Sequence, residues 1–326
     1  MKILYGIQLT GNGHITRSIQ IIKSLKERDF EVDIITSGNN SQLEIPYEIK
    51  SQHSGISMFY NRNGGIDWFN TIKNAELKKF IKDIDYDVSN YDLVISDFEP
   101  ISAWSARRQN VKSIGIGNQY SFRSNKIHRP KRKSKIAEIF LKKFAPCDIN
   151  IGLGYDNYDD FIVKPIINED LLGKKITDDG SILIYLPSLS TDSIFEQVKE
   201  FTNYKWKIYS PEIKIDSIKE GIILKKPNKE EFTKDLLSCS GVITASGFST
   251  TSEALILNKK LWSIPIKKQY EQLCNAISLK KMGVMTDDFN KDSISNWIKN
   301  YKSIEYKWDN PIDEIIEKII KYCGKN

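Results

Sequence analysis

The sequence predicts an α/β protein built as two parallel-sheet domains, and three observations point to it. Short apolar runs with β-branched residues, such as Lys2 to Leu9 and Gly241 to Thr244, recur along the chain between segments of helical periodicity. Several of these runs end on glycine or small-residue turns that lead directly into a helix, the order of a right-handed β-loop-α-β crossover. The 326 residues are enough for two cores.

In chain order, Lys2 to Leu9 is the first strand, Thr10 to His14 a tight turn, Ile15 to Glu27 an amphipathic helix and Glu31 to Thr36 the second strand. The turn lacks the GxGxxG spacing of a dinucleotide site. Ile56 to Asn70 is aromatic, glycine-punctuated and without period, which predicts a loop before a helix near Asp67 to Ile84. Strands follow at Tyr91 to Ser96 and Lys112 to Gly117. The first ends on Asp97-Phe98-Glu99-Pro100 and the second on Asn118-Gln119-Tyr120, polar groups where open α/β sheets carry function. Asp97 and Glu99 read equally as helix capping, since Pro100 suits a first helical position. A helix near Lys133 to Phe144 and a strand near Asp148 to Leu153 close this half.

Pro165 to Gly180 has proline, glycine and charge without periodicity, which places a linker at 166–180 between segments 1–165 and 181–310. The second half reads as strands at Ser181 to Leu186, Trp206 to Tyr209, Gly221 to Leu224, Gly241 to Thr244 and Leu261 to Ile266. Helices are expected at Lys229 to Leu237, from Gln269 to Lys281 and over Pro311 to Tyr322, where isoleucines share one face.

Composition narrows the function classes. Hydrophobic residues make up 40% and charged residues 28% of the chain, values of a folded soluble protein. No apolar run approaches the roughly 18 residues of a bilayer span, and Met1 to Ile7 is too short for a secretory leader. The four cysteines have neither paired nor metal-ligand spacing. A cytoplasmic protein is expected. The net charge of +6 is matched by Arg123 to Lys135, which holds seven Lys/Arg and no acid. That run reads as a solvated loop or as a contact for anionic lipid or a pyrophosphate-linked acceptor; no nucleic-acid module accompanies it.

The most informative stretch is Gly241 to Ala276. A strand, the small turn Ala245-Ser246-Gly247 and the hydroxyl-rich start Ser249 to Ser252 form an ordinary helix cap or an anion site on unpaired backbone N–H groups. The next strand leads into Gln269-Tyr270-Glu271-Gln272 at the same sheet edge. Phosphate donors in one loop and a carboxylate-amide pair in the next suit a nucleotide sugar. This stretch resembles the donor-binding region of GT-B fold glycosyltransferases, above all the family of the N-acetylglucosaminyltransferase that forms lipid II and related uncharacterised bacterial and archaeal glycosyltransferases.

The resemblance implies two Rossmann-like domains facing across a cleft, with the last helix, 311–326, returning to the first. It implies that Ser246, Gly247, Phe248, Ser249 and Thr250 hold a diphosphate, that Glu253 takes ribose hydroxyls and that Glu271 and Gln272 read the sugar. Asn228 to Phe232 would border the base, Ser188 would contact the donor, and Gly11, Asn12 and Gly13 would face the cleft. The lipid II enzyme has two amides where this chain has Glu271-Gln272. His14 is the best candidate base by its near-neutral pKa, with Asp97 or Glu99 as rivals. The resemblance puts Gln119, Arg129 and Lys131 on the acceptor side and implies inversion with no cofactor and no essential metal; the pairs Asp159-Asp160 and Asp178-Asp179 lack a metal-site context. Nucleotide-sugar 2-epimerases share the fold, and a non-catalytic sugar-nucleotide binder is the third reading.

Overall fold

The computed structural model describes residues 1–38, 44–54 and 77–324. The first half runs β1 (Lys2–Gln8), α1 (Asn12–Lys26), β2 (Glu31–Ser37), β3 (Ser51–His53), α2 (Leu77–Asp83), β4 (Leu93–Asp97), α3 (Pro100–Gln109), β5 (Ser113–Gly117), α4 (Asn118–Ser121), α5 (Lys135–Lys143), β6 (Ile149–Leu153) and β7 (Ile162–Val163). Its strands form one parallel sheet in the order β3-β2-β1-β4-β5-β6-β7. The aromatic loop expected at 56–70 and the start of the helix after it lie outside the described residues.

The second half runs β8 (Ser181–Tyr185), α6 (Thr191–Val198), β9 (Lys205–Tyr209), β10 (Ser217–Lys219), β11 (Ile222–Lys225), α7 (Lys229–Ser238), β12 (Gly241–Ala245), α8 (Phe248–Ile256), β13 (Lys260–Ile264), α9 (Tyr270–Lys281), α10 (Lys291–Asn300) and α11 (Ile312–Cys323). The sheet order is β10-β11-β9-β8-β12-β13, parallel except for the β10–β11 hairpin. The helices of this half that the periodicity did not predict are α6 and α10, and the short strand β10 was missed as well. In α10 only Ile294 and Trp297 are buried, too few apolar residues to mark a helix in sequence.

Both sheets change direction beside their first strand, between β1 and β4 and between β8 and β12, and open α/β sheets bind ligands at such points. The carboxyl ends of β1, β4, β8 and β12 therefore set the site. The first part of the segment expected as a linker is packed, with Ile166, Ile167 and Leu171 buried and the Gln20 side chain donating to the Ile167 carbonyl at 2.6 Å, whereas 173–180 is exposed. Asn168 caps a single 3-10 turn, Glu169–Leu171.

Helix α11 buries Ile315, Ile316 and Ile319 and returns to the first half. Asp313 pairs with Arg28, just beyond α1, at 2.7 Å, and Lys318 donates to the Asp160 carbonyl at 3.0 Å. The segment leading back to it is tied down as well. Tyr306 donates its hydroxyl to the Tyr155 carbonyl at 2.6 Å, and Trp308 donates its indole N–H to the Pro165 carbonyl at 2.8 Å. No helix among the described residues is long and apolar enough to cross a membrane.

Candidate active site

Helices α1 and α8 meet across the cleft. Each starts at a glycine with no side-chain cap, Gly11 before α1 and Gly247 before α8, and neither has an acid in its first turn. By contrast α3, α5, α6, α7 and α10 are capped by Glu99, Ser134, Ser190, Asn228 and Asn290. Uncapped N-termini leave backbone N–H groups and the positive dipole end free for an anion. The approach is close enough to require glycine: a Cβ on Gly13 would lie 2.2 Å from the Ser249 hydroxyl.

A cavity of about 530 Å³ opens beside this contact. Asn12, Gly13 and Thr16 of α1 line one wall and Ser249, Thr250 and Glu253 of α8 the other; Ile166 and Asn168 of the connecting segment complete it, with Phe232 and two tyrosines at the far end. Those tyrosines, Tyr185 and Tyr209, end β8 and β9, and both rings meet Phe232 edge-on at centroid distances of 5.9 and 5.2 Å. Neither was singled out in the sequence, although each is the last residue of an apolar parallel strand. Burial pushes the Glu253 carboxyl up to about 7, and the Asn168 backbone N–H, 3.4 Å from Oε1, opposes that rise.

Several predicted residues sit elsewhere or act through the backbone. The Ser246 hydroxyl is buried against that of Ser263 at 2.7 Å. Phe248 is buried with its ring 4.9 Å from Tyr155, so both contribute at most main-chain groups. Gln272 is also buried, its side-chain oxygen accepting the Ile266 N–H at 3.0 Å, which holds the loop into α9. Ser188 is exposed in the turn after β8 and does not line the cavity.

A second, smaller chamber of about 80 Å³ adjoins the first turn of α1, lined by Thr10, His14, Phe98, Gln119, Ala137, Phe140, Leu141, Gln269, Tyr270 and Glu271. Gln119 donates across the cleft to the Glu271 carboxylate at 3.2 and 3.4 Å. Burial pushes the Glu271 carboxyl up, and Gln119 and Arg17 partly offset it. The Tyr270 hydroxyl donates to Glu138 on α5 at 2.6 Å, a second bond between the halves.

His14 stands at the centre of a buried polar cluster. Its Nδ1 is 2.8 Å from Asp97 Oδ1 and 2.7 Å from Arg17 Nη2. Arg17 donates from Nε to Asp97 Oδ2 at 2.7 Å and from Nη2 to Oδ1, and the Ser18 hydroxyl donates to Oδ2 at 2.9 Å. Burial opposes ionisation of Asp97, but Arg17 and His14 outweigh it and hold the carboxyl below its ordinary value. Burial and then Arg17 push His14 below the ordinary imidazole value, with Asp97 pulling the other way.

The carboxylate at the end of β4 is thus wholly buried and engaged by His14, Arg17 and Ser18. Glu99 is held by other contacts. It is wholly buried and caps α3, accepting the Ile101 and Ser102 N–H groups at 2.7 and 2.6 Å, so its carboxylate has no path to the cleft. Arg129 also departs from its expected place on an acceptor surface. Its side chain is 5% exposed, pairs with Glu138 at 2.9 Å and donates to the carbonyls of Phe122, Ser124 and Ile127. Lys131 is exposed.

No curated protein matches this sequence. Among solved structures the chain is similar to the Streptomyces sp. SF2575 glycosyltransferase SsfS6, at 13% identity over 99% of this chain and 96% of that one, TM-score 0.58. It is similar to Acinetobacter baumannii MurG, at 12% identity over 98% and 99%, TM-score 0.60. It is also similar to S. aureus MnaA, solved with UDP, at 12% identity over 100% and 97%, TM-score 0.62. At such identities the likeness establishes the two-domain GT-B architecture. The model of glycosyl transferase family 1 matches residues 1–301, and the chain belongs to that family of glycosyltransferases.

Proposed function

We propose that this glycosyltransferase moves a hexose or N-acetylhexosamine from a UDP-linked donor to a saccharide or lipid-linked acceptor, with inversion and without a metal ion. The observation that carries the reading is the meeting of α1 and α8, two uncapped helix N-termini facing one cavity with His14 on the same turn. In this reading their N–H groups and the Ser249 and Thr250 hydroxyls hold the diphosphate. Glu253 accepts the ribose hydroxyls, Phe232 with its two tyrosines borders the base, and Glu271 reads sugar hydroxyls as an acceptor group.

His14 Nε2 takes the acceptor's hydroxyl proton as that oxygen attacks the anomeric carbon. The bond from this carbon to the β-phosphate oxygen breaks, and UDP leaves with its new charge toward the helix N-termini. Asp97 orients the imidazole through Nδ1. Exposed Lys131, Arg132, Lys133 and Lys135, with Ile136 and Ile139 exposed beside them, support peripheral attachment to an anionic membrane at the cytoplasmic face.

The test is UDP release from UDP-sugars with membrane-saccharide extracts as acceptor, in excess chelator. Release is expected to depend on acceptor, and His14→Ala should lower kcat by about 100-fold or more with donor affinity little changed. Turnover lost in chelator and restored by Mg²⁺ would end the metal-free mechanism. Interconversion of the free nucleotide sugar would instead make the protein a 2-epimerase, and donor binding without turnover a binding protein.

A further inference from the structure

The cluster around His14 contains one charge more than an orienting pair needs. Asp97 would hold the imidazole by itself; Arg17, 5% exposed, lies against both. Space for the guanidinium is built into the next strand. Gly117, at φ +147°, ends β5 where a Cβ would come within 3.0 Å of Arg17 Nη2 and 3.4 Å of Asp97 Oδ1.

Two contacts compete for Nδ1 of His14, the Asp97 carboxylate at 2.8 Å and Arg17 Nη2 at 2.7 Å, and the ionised carboxylate favours a proton there. With Nδ1 protonated, Asp97 accepts two bonds on each oxygen, from Arg17 Nε and Ser18 on one and from Arg17 Nη2 and His14 on the other. With Nδ1 bare, it would accept from Arg17 Nη2 at 2.7 Å but turn its lone pair on the Asp97 carboxylate at 2.8 Å; the protonated form gives up the Arg17 bond and gains the charge-assisted one to Asp97. Charge fixes the rest. Arg17 and Asp97 already cancel, so a proton on Nε2 would add a net positive charge to a buried cluster, 2.7 Å from a guanidinium nitrogen.

We propose that Arg17 is a positioning residue for the base: it anchors the Asp97 carboxylate and, by cancelling that charge, keeps His14 a neutral imidazole with Nε2 free to accept a proton. This rests on His14 as the base. The other titratable groups facing it are Glu271 and Tyr270 of α9, across the small chamber. A charged Glu271 would favour the imidazolium, as Asp97 does, and Arg17 is the charge that opposes them. Burial acts in the same direction as Arg17 on His14.

Imidazole ¹⁵N NMR of the free protein, with the His14 signal assigned by its loss in His14→Ala, reads tautomer and titration directly. Wild-type His14 should carry its proton on Nδ1 and titrate below about 6.5. Arg17→Met should raise the midpoint by about one unit or more and move the acid limb of kcat/KM upward with it. Arg17→Lys, which keeps the charge, should leave both low. A wild-type proton on Nε2, or a midpoint unmoved in Arg17→Met, overturns the proposal. Should Arg17→Met fail to fold, the wild-type tautomer and midpoint and Arg17→Lys decide. If His14→Ala retains full turnover, the base assignment fails, while the NMR result still judges Arg17.

Discussion

Glu253 sits where burial and its proposed task pull in opposite directions. Its carboxyl is raised to about 7, yet the ionised form is the one that accepts both hydrogen bonds from a vicinal diol. A raised folded pKa means that the stability linked to this group is present at low pH and lost as pH rises through about 7. Ligand affinity runs the other way, gained as pH rises through that value and lost as it falls. UDP-N-acetylglucosamine should bind about tenfold more tightly near pH 8 than near pH 6, and Glu253→Gln should bind weakly at both. Calorimetry across this range checks it, and a flat wild-type profile removes Glu253 from the ribose. That Ser249 and Thr250 line the cavity was legible because a strand, a small turn and a hydroxyl-rich helix start leave little choice of geometry, while Glu253 came from the family resemblance. Arg17 was not. An arginine one turn after His14 reads as solvent-facing until β4 supplies Asp97 and β5 supplies the gap at Gly117. The Asp97-Phe98-Glu99-Pro100 pattern allowed either acid to be base or cap, and only the fold divides them, turning Asp97 to His14 and Glu99 to the start of α3.

Among elements, α5 changes most between sequence and structure. Its approach, Arg123 to Lys135, counts as seven cations, but three are engaged locally. Arg129 braces its own loop, Arg123 stacks 4.8 Å from the Tyr120 ring centroid, and Lys126 pairs with Asp159 at 2.6 Å. Charge counting cannot separate these from the other four, because a bridged cation and a solvated one look alike in a string of letters. The helix adds a feature the count missed: Ile136 and Ile139 are 61% and 58% exposed beside the free cations. Each cation near an anionic bilayer contributes about 1 kcal/mol, and the isoleucines add apolar insertion. Anionic vesicles should therefore sediment the protein at low salt and release it at high salt. Replacing Lys131, Arg132, Lys133 and Lys135 by Gln should abolish sedimentation with UDP binding intact, whereas Arg129→Gln should lower stability instead. Equal recovery with neutral and anionic vesicles would leave α5 an ordinary solvated helix.

At the scale of the whole molecule, the alternation of strands and helices was readable throughout, since apolar parallel strands and glycine turns recur in both halves. The packing of 166–171 was not, because its buried isoleucines belong to no periodic element. The chain passes between the halves twice, outward through that segment and back through the residues before α11, and Trp308 bonds the return path to the outward one. Two adjacent crossings act as a pair of hinge pins, leaving rotation about one axis as the easy motion. Ile166 and Asn168 put the Glu253 end of the cavity beside that axis, while neither lines the chamber of His14 and Glu271. With the donor lying as proposed, a small swing about that axis would disturb the Glu253 end less than the end at His14 and Glu271. Steady-state kinetics should show the donor binding first and UDP leaving last, with UDP competitive against the donor and not against the acceptor; the reverse pattern would place the axis elsewhere. In the proposed reaction the glycosylated product would then depart from an enzyme still holding its nucleotide, which makes the opening that frees UDP the last event of each turnover.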